Sequence, residues 1–303
     1  MIKVQTDFKT EEEKIKYVEK CEGKFDAQLL DAVEKIENLQ DVKILALSGP
    51  TCSGKTTAAK KLIADFEKIG KSVCVISIDD YFLDRDLESD MAVKESGNKL
   101  DYDSINTIDI DYLYENIKSI AKLETFKVPK FDFISGKRVS YSDFDPQKCD
   151  YVLFEGIQAI YPEIINKLKE LNCVSIFICP ADDVEYNGIC FDKREIRLMR
   201  RLVRDYGFRG AHPEFTFYIW ETVIENEDKN IFPNVSNADI VIDSNFGYEL
   251  GVIKNPLSAV LSLVSENSKY YLSARKLAEK IKYTEEISHE YIPDNSLFKE
   301  FLK

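Results

Sequence analysis

Histidine, long apolar runs and positive charge are the scarce features of this 303-residue sequence. Only His212 and His289 supply imidazole, and the seven cysteines (Cys21, Cys52, Cys74, Cys149, Cys173, Cys179, Cys190) form no Cys-x-x-Cys pair. A structural zinc site therefore has too few ligands. The cysteines are odd in number and lie mostly in apolar runs such as Val73-Cys-Val-Ile, the pattern of reduced core thiols in a cytoplasmic protein. No apolar stretch approaches the roughly 18 residues that a membrane helix needs. Met1 to Lys14 alternates charged and polar residues, so no secretory leader is expected either. With 41 Lys and Arg against 54 Asp and Glu the net charge is −13, which disfavours nucleic acid as a partner, since that binding rests on neutralising phosphates. The remainder is ordinary globular usage, 44% hydrophobic and 31% charged, enough for a sizeable core.

Five short apolar runs stand out: Lys43 to Ser48, Val73 to Ile78, Tyr151 to Phe154, Val174 to Ile178 and Ile240 to Ile242. Such runs fit strands buried on both faces of a parallel sheet. Between them lie stretches of helical period such as Thr56 to Ile69 and Tyr161 to Leu171, so the chain reads as α/β, a doubly wound and mostly parallel sheet. Residues 1–40 read as a helical extension of two polar-faced helices, Glu11 to Cys21 and Phe25 to Leu39, broken at Gly23. Residues 41–303 then form the main domain. Its insertion near 80–150 carries a helix at Asp109 to Lys122 and a hairpin, Phe126 to Phe133 and Lys137 to Tyr141, turned at Ile134-Ser-Gly136. A basic segment follows near 185–212, and a helical tail near 256–303.

Directly after the first run comes Gly49-Pro-Thr-Cys-Ser-Gly54-Lys55-Thr56, which satisfies G-x-x-x-x-G-K-[ST] in its required order of strand, loop and helix. The glycines let successive N–H groups turn toward phosphate oxygens, and the helix N-terminus adds partial positive charge. Lys55 is expected at the β- and γ-phosphates and Thr56 on magnesium, a hard cation that prefers oxygen. Glu155 closes the Tyr151 run, where the second metal-associated acid of a nucleotide site belongs. Asp79 and Asp80 close the Val73 run at the sheet's carboxyl edge, where open α/β proteins bind ligands. Position favours Asp79 as the general base, because phosphoryl transfer to an alcohol asks for little more than a carboxylate to take the hydroxyl proton and cations on the phosphoryl group. From Asp192 to Arg209 stand Lys193, Arg194, Arg197, Arg200, Arg201, Arg204 and Arg209, a local cluster suited to a polyphosphate and to a lid that excludes water.

Gly49 to Thr57, Ile78-Asp-Asp-Tyr-Phe82, Pro129-Lys-Phe-Asp-Phe133, Phe154-Glu-Gly-Ile157 and Arg200-Arg-Leu-Val-Arg-Asp205 together resemble the phosphoribulokinase/uridine kinase family of P-loop kinases. Asp80 to Arg85, Phe131 to Arg138, Asn230-Ile-Phe-Pro233 and Tyr291 to Ser296 are similar to its bacterial uridine-kinase-like branch. The resemblance implies a P-loop fold and a cytoplasmic, magnesium- and ATP-dependent kinase that phosphorylates a nucleoside on its ribose 5′-OH. Catalysis would fall to Asp79, Lys55 and Arg204; the nucleotide to Gly49, Thr51, Ser53, Gly54, Lys55, Thr56, Thr57, Arg200 and Arg209; magnesium to Thr56 and Glu155. The acceptor would meet Tyr81, Asp101, Phe131, Arg138 and Arg201. Two positions depart from the pattern: Gly136 where many uridine kinases carry a base-reading histidine, and Ala211 where they carry a further lid arginine. Other small alcohols such as pantothenate or a sugar (phosphate), and a nucleotide-binding module without turnover, stay open, as does assembly into a homo-oligomer. Asn98-Lys-Leu-Asp101 spells the N-K-x-D of GTPases, but it precedes Glu155 and follows a polar stretch instead of an apolar strand, so it reads as coincidence.

Overall fold

The computed structural model describes residues 1–85 and 103–302. A short strand, β1 (Ile2–Lys3), leads to a 27-residue helix, α1 (Glu11–Glu37), whose Thr10 side chain caps the Glu13 N–H. The expected break at Gly23 does not occur: a glycine inside a helix costs only about 1 kcal/mol, less than the burial of Val18, Phe25, Leu29, Ala32, Val33 and Ile36 on either side of it secures.

The central layer is a sheet of five parallel strands. In chain order they are β2 (Ile44–Ser48), then after α2 (Lys55–Lys68) β3 (Val73–Ser77), and, beyond the insertion, β6 (Tyr151–Glu155), β7 (Val174–Cys179) and β10 (Ile240–Asp243). Their spatial order is β10-β7-β2-β6-β3. The insertion holds α3 (Ile110–Lys122), capped by Asp109, and the antiparallel hairpin β4 (Phe126–Asp132) and β5 (Lys137–Phe144), close to the sequence expectation. Alternate side chains of β2 serve opposite faces. Leu45 and Leu47 join α1 and α2 in one apolar cluster, while Ile44 and Ala46 join α3, the hairpin and α4 (Pro162–Lys169) in another. The inner strands β2, β6 and β7 are buried on both faces and read as unbroken apolar runs, while the edge strands β3 and β10 expose Val75 and Val241.

A third cluster holds the helices beyond the sheet: α5 (Lys193–Arg209), α6 (Pro213–Asn226), α7 (Glu249–Leu261) and α8 (Tyr271–Ile281). The hairpin β8 (Val184–Tyr186) and β9 (Ile189–Phe191) leads into α5, and β1 pairs with β8, so the first residues of the chain brace that lead-in. A capping box between Asp192 and Glu195 starts α5, and Gly210, at φ +64°, ends it.

Candidate active site

Strand order alone brings the chemistry together. Glu155, the last residue of β6, stands in register with Leu47 of β2 on one side and Ser77 of β3 on the other. The phosphate loop after β2, Glu155, and Asp79 after β3 thus share the carboxyl edge of the sheet, and Lys55, Thr56, Asp79 and Glu155 line one cavity of about 860 Å³.

The loop's backbone needs both glycines. A Cβ at Gly49 would lie 2.2 Å from the Ile178 carbonyl oxygen, and Gly54 caps α2 at φ +92° with the Leu297 side chain 1.9 Å from where its Cβ would stand. Lys55 Nζ donates to the Gly49 and Pro50 carbonyls at 2.9 and 3.2 Å, folded back over the loop it would share with phosphates. Thr51 and Gly54 line the cavity. Ser53 is fully buried behind the loop, and Thr57 gives its N–H and hydroxyl to Glu300.

The two adjacent carboxylates separate by what they face. Asp80 is buried and accepts from the Phe131 N–H at 3.1 Å and pairs with Lys130, tying the turn after β3 to the hairpin. Asp79 faces the cavity, and burial, followed by the nearby charge of Glu155, pushes its pKa up to about 6. Burial also raises Glu155, against the pull of the Lys55 ammonium. Thr56 and Glu155 offer hydroxyl and carboxylate oxygens in the same cavity, a donor set that fits magnesium, which takes one or two protein ligands and completes its shell with phosphates and water.

The basic helix divides its labour. Arg201, Arg204 and Arg209 line the cavity and share one carboxylate, Asp205, at 3.2, 2.6 and 3.6 Å. Three cations on one anion leave a positive surplus beside the phosphate loop, suited to polyphosphate. Arg200, expected on the nucleotide, is instead fully buried: it clasps Glu249 and donates to the Ser244 carbonyl at 2.7 Å and the Cys52 carbonyl at 3.2 Å. Arg197 is likewise buried on Glu227 and donates to the Thr51 carbonyl. The helix is covered on two sides: the buried pair supports the loop's carbonyl side while the others face the ligand space.

Of the expected acceptor contacts, Arg201 lines the cavity and Asp101 lies outside the described residues. Tyr81 is buried with its hydroxyl accepting from Asn116, and Phe131 packs on Phe82 in the core. Arg138 is spent on Asp109 and the carbonyls of Tyr81 and Phe82. That part of the cavity is lined instead by neighbours, Phe82, Phe133, Ile134, Asp103 and Arg85, whose guanidinium lies over the Phe82 and Phe133 rings at 5.1 and 5.9 Å. Phe133 stands in the turn just beyond β4, where strand alternation no longer sets which way a side chain faces. The lining also includes Phe208 and, from α6, Ile219, Thr222 and Val223, while Glu300 enters from far along the chain.

The profile of the Phosphoribulokinase / Uridine kinase family matches residues 44–246. The chain belongs to this family. It is 27% identical over 207 residues to the uridine kinase of Ureaplasma urealyticum, covering 68% of this chain and 89% of that one. It is also 27% identical over 206 residues to uridine-cytidine kinase A of Dictyostelium discoideum, of which it spans 36%. A D-glycerate 3-kinase from Cryptococcus neoformans superposes with a TM-score of 0.41 at 15% identity, covering 70% of this chain and 88% of that one. Family membership makes the chain a P-loop phosphotransferase that uses ATP and a small-molecule acceptor.

Proposed function

We propose that this kinase moves the γ-phosphoryl group of ATP to the 5′-hydroxyl of a nucleoside of the uridine or cytidine type. The observation that carries the reading is that Asp79, a carboxylate of raised basicity, lines the same cavity as Lys55 and Thr56 of the phosphate loop and the Phe82 and Phe133 rings. The relatives named uridine kinase and uridine-cytidine kinase support the acceptor class.

In this reading the loop N–H groups and Lys55 hold the β- and γ-phosphates, and Arg204, with Arg201 and Arg209, balances charge on the transferring group. Thr56 and Glu155 would hold a magnesium ion, which supplies charge neutralisation at the phosphates when bound. Asp79 accepts the hydroxyl proton as the oxygen attacks. Phe133 and Phe82 give a flat base an apolar wall, and Arg85 adds N–H donors beside it. The insertion at 80–150 serves the acceptor, and the segment 185–212 acts as the lid.

The test is magnesium-dependent ADP release with uridine, cytidine, adenosine, guanosine, pantothenate and sugars, run beside Asp79→Asn. Turnover with a pyrimidine nucleoside that disappears in Asp79→Asn is the expected result. ADP release that no nucleoside raises above the acceptor-free rate would remove the nucleoside reading.

A further inference from the structure

The phosphate loop already has an anion on it, and the anion comes from the chain itself. Glu300 Oε1 accepts from both the Thr57 N–H and the Thr57 hydroxyl, each at 2.5 Å. Thr57 lies in the first turn of α2, whose N–H groups have no partner within the helix and are the donors a P-loop turns toward phosphate oxygens. Glu300 also lines the cavity that holds Lys55, Thr56 and Glu155.

This placement is built, not incidental to a surface side chain. Leu297, three residues earlier, fills the space that a Cβ at Gly54 would take. The rings of Phe298 and Phe301 lie 5.4 Å from the guanidinium of Arg200, which itself donates to the Cys52 carbonyl of the loop. Ser296 donates to the buried Glu22 of α1 at 2.6 Å, and Glu22 accepts from Tyr248 as well. The segment 296–302 is thus seated on the loop by buried contacts on both sides of Glu300.

We propose that Glu300 is an internal ligand of the phosphate loop that a nucleotide phosphate must displace. A carboxylate and a phosphate oxygen are both acceptors and both negative, so they cannot share the Thr57 donors, and the carboxylate repels whatever phosphate approaches. The residue therefore sets nucleotide affinity and couples ATP binding to release of the segment 296–302. The inference rests on the P-loop reading of the site but not on the identity of the acceptor.

Two measurements on the full chain test it. Calorimetry of magnesium-ADP binding should give about tenfold tighter affinity for Glu300→Gln than for the wild type, the worth of one charge-assisted hydrogen bond no longer to be broken. Hydrogen exchange of the wild type should show residues 296–302 losing protection when ADP is added, a readout that needs no variant to fold. An affinity equal to or weaker than wild type in Glu300→Gln, as a carboxylate that grips a nucleotide hydroxyl would produce, overturns the proposal. So does protection of 296–302 that holds or rises with ADP. If neither protein binds ADP, the phosphate-site reading fails together with the proposal, whereas wild-type binding with no gain in Glu300→Gln removes the latch alone.

Discussion

Burial, with Glu155 nearby, raises the Asp79 pKa from the ordinary 3.8 to about 6, and this has consequences for both rate and stability. As a base it must be ionised, so kcat/KM should climb from about pH 5 and level off above about pH 7; a profile flat across that range would remove it from the role. Asp79→Asn should cost ~10²–10⁴ in kcat, the usual worth of a positioned base. Stability moves the other way. A pKa raised by folding contributes stability that is fully present below about pH 4 and is lost as the pH rises through about 6. Asp79→Asn should therefore be more stable than the wild type above pH 6, by about 1 to 3 kcal/mol, with the difference vanishing near pH 4; equal denaturant midpoints at pH 7.5 would contradict this. Arg204→Gln, at a cavity-facing cation, should lower kcat at least ~10²-fold while leaving the fold's stability nearly unchanged.

Among the elements, α1 and α5 show how sequence period can name a helix and still misjudge its neighbours. The glycine in α1 suggested two polar-faced helices, yet its apolar stripe lies in the same cluster as β2 and α2. Leu29→Ala should cost about 2–5 kcal/mol in equilibrium unfolding, as for any large core residue; a cost near zero would mean that α1 only rests on the surface. In α5 the Arg200–Glu249 pair is fully buried, so Arg200→Met alone should lose about 3–5 kcal/mol by stranding the Glu249 carboxylate. Adding Glu249→Leu should restore part of that loss. Because Arg200 also holds the Cys52 carbonyl, both variants should bind nucleotide more weakly even where stability recovers, which separates support of the loop from support of the fold.

For the whole molecule, the cavity is walled by the sheet edge, the insertion, α5, α6 and the segment carrying Glu300, so ligand binding should be read by global stability. ATP with magnesium at 100 times its Kd should add about 2.7 kcal/mol, seen as a rise of several degrees in the unfolding midpoint, and chelation of magnesium should remove most of it. An unchanged midpoint with ATP and magnesium would argue against a shared site.

Much of this was readable from residues in order. Local rules sufficed for the five strands, the hairpin, the phosphate loop and the acids at strand ends, because a motif such as Gly49 to Thr56 and a run such as Tyr151 to Phe154 carry their meaning within a few neighbours. Position along the chain favours Asp79 over Asp80 as the base; the structure shows only that the Phe131 N–H and Lys130 hold Asp80 while Asp79 lines the cavity. Tertiary packing alone decided that Arg200 is buried while Arg201 faces the cavity, that Phe133 and not Phe131 lines that cavity, and that Glu300 reaches Thr57 across 243 positions of sequence. Burial and long-range pairing depend on what covers a side chain, and no periodicity along the chain encodes that.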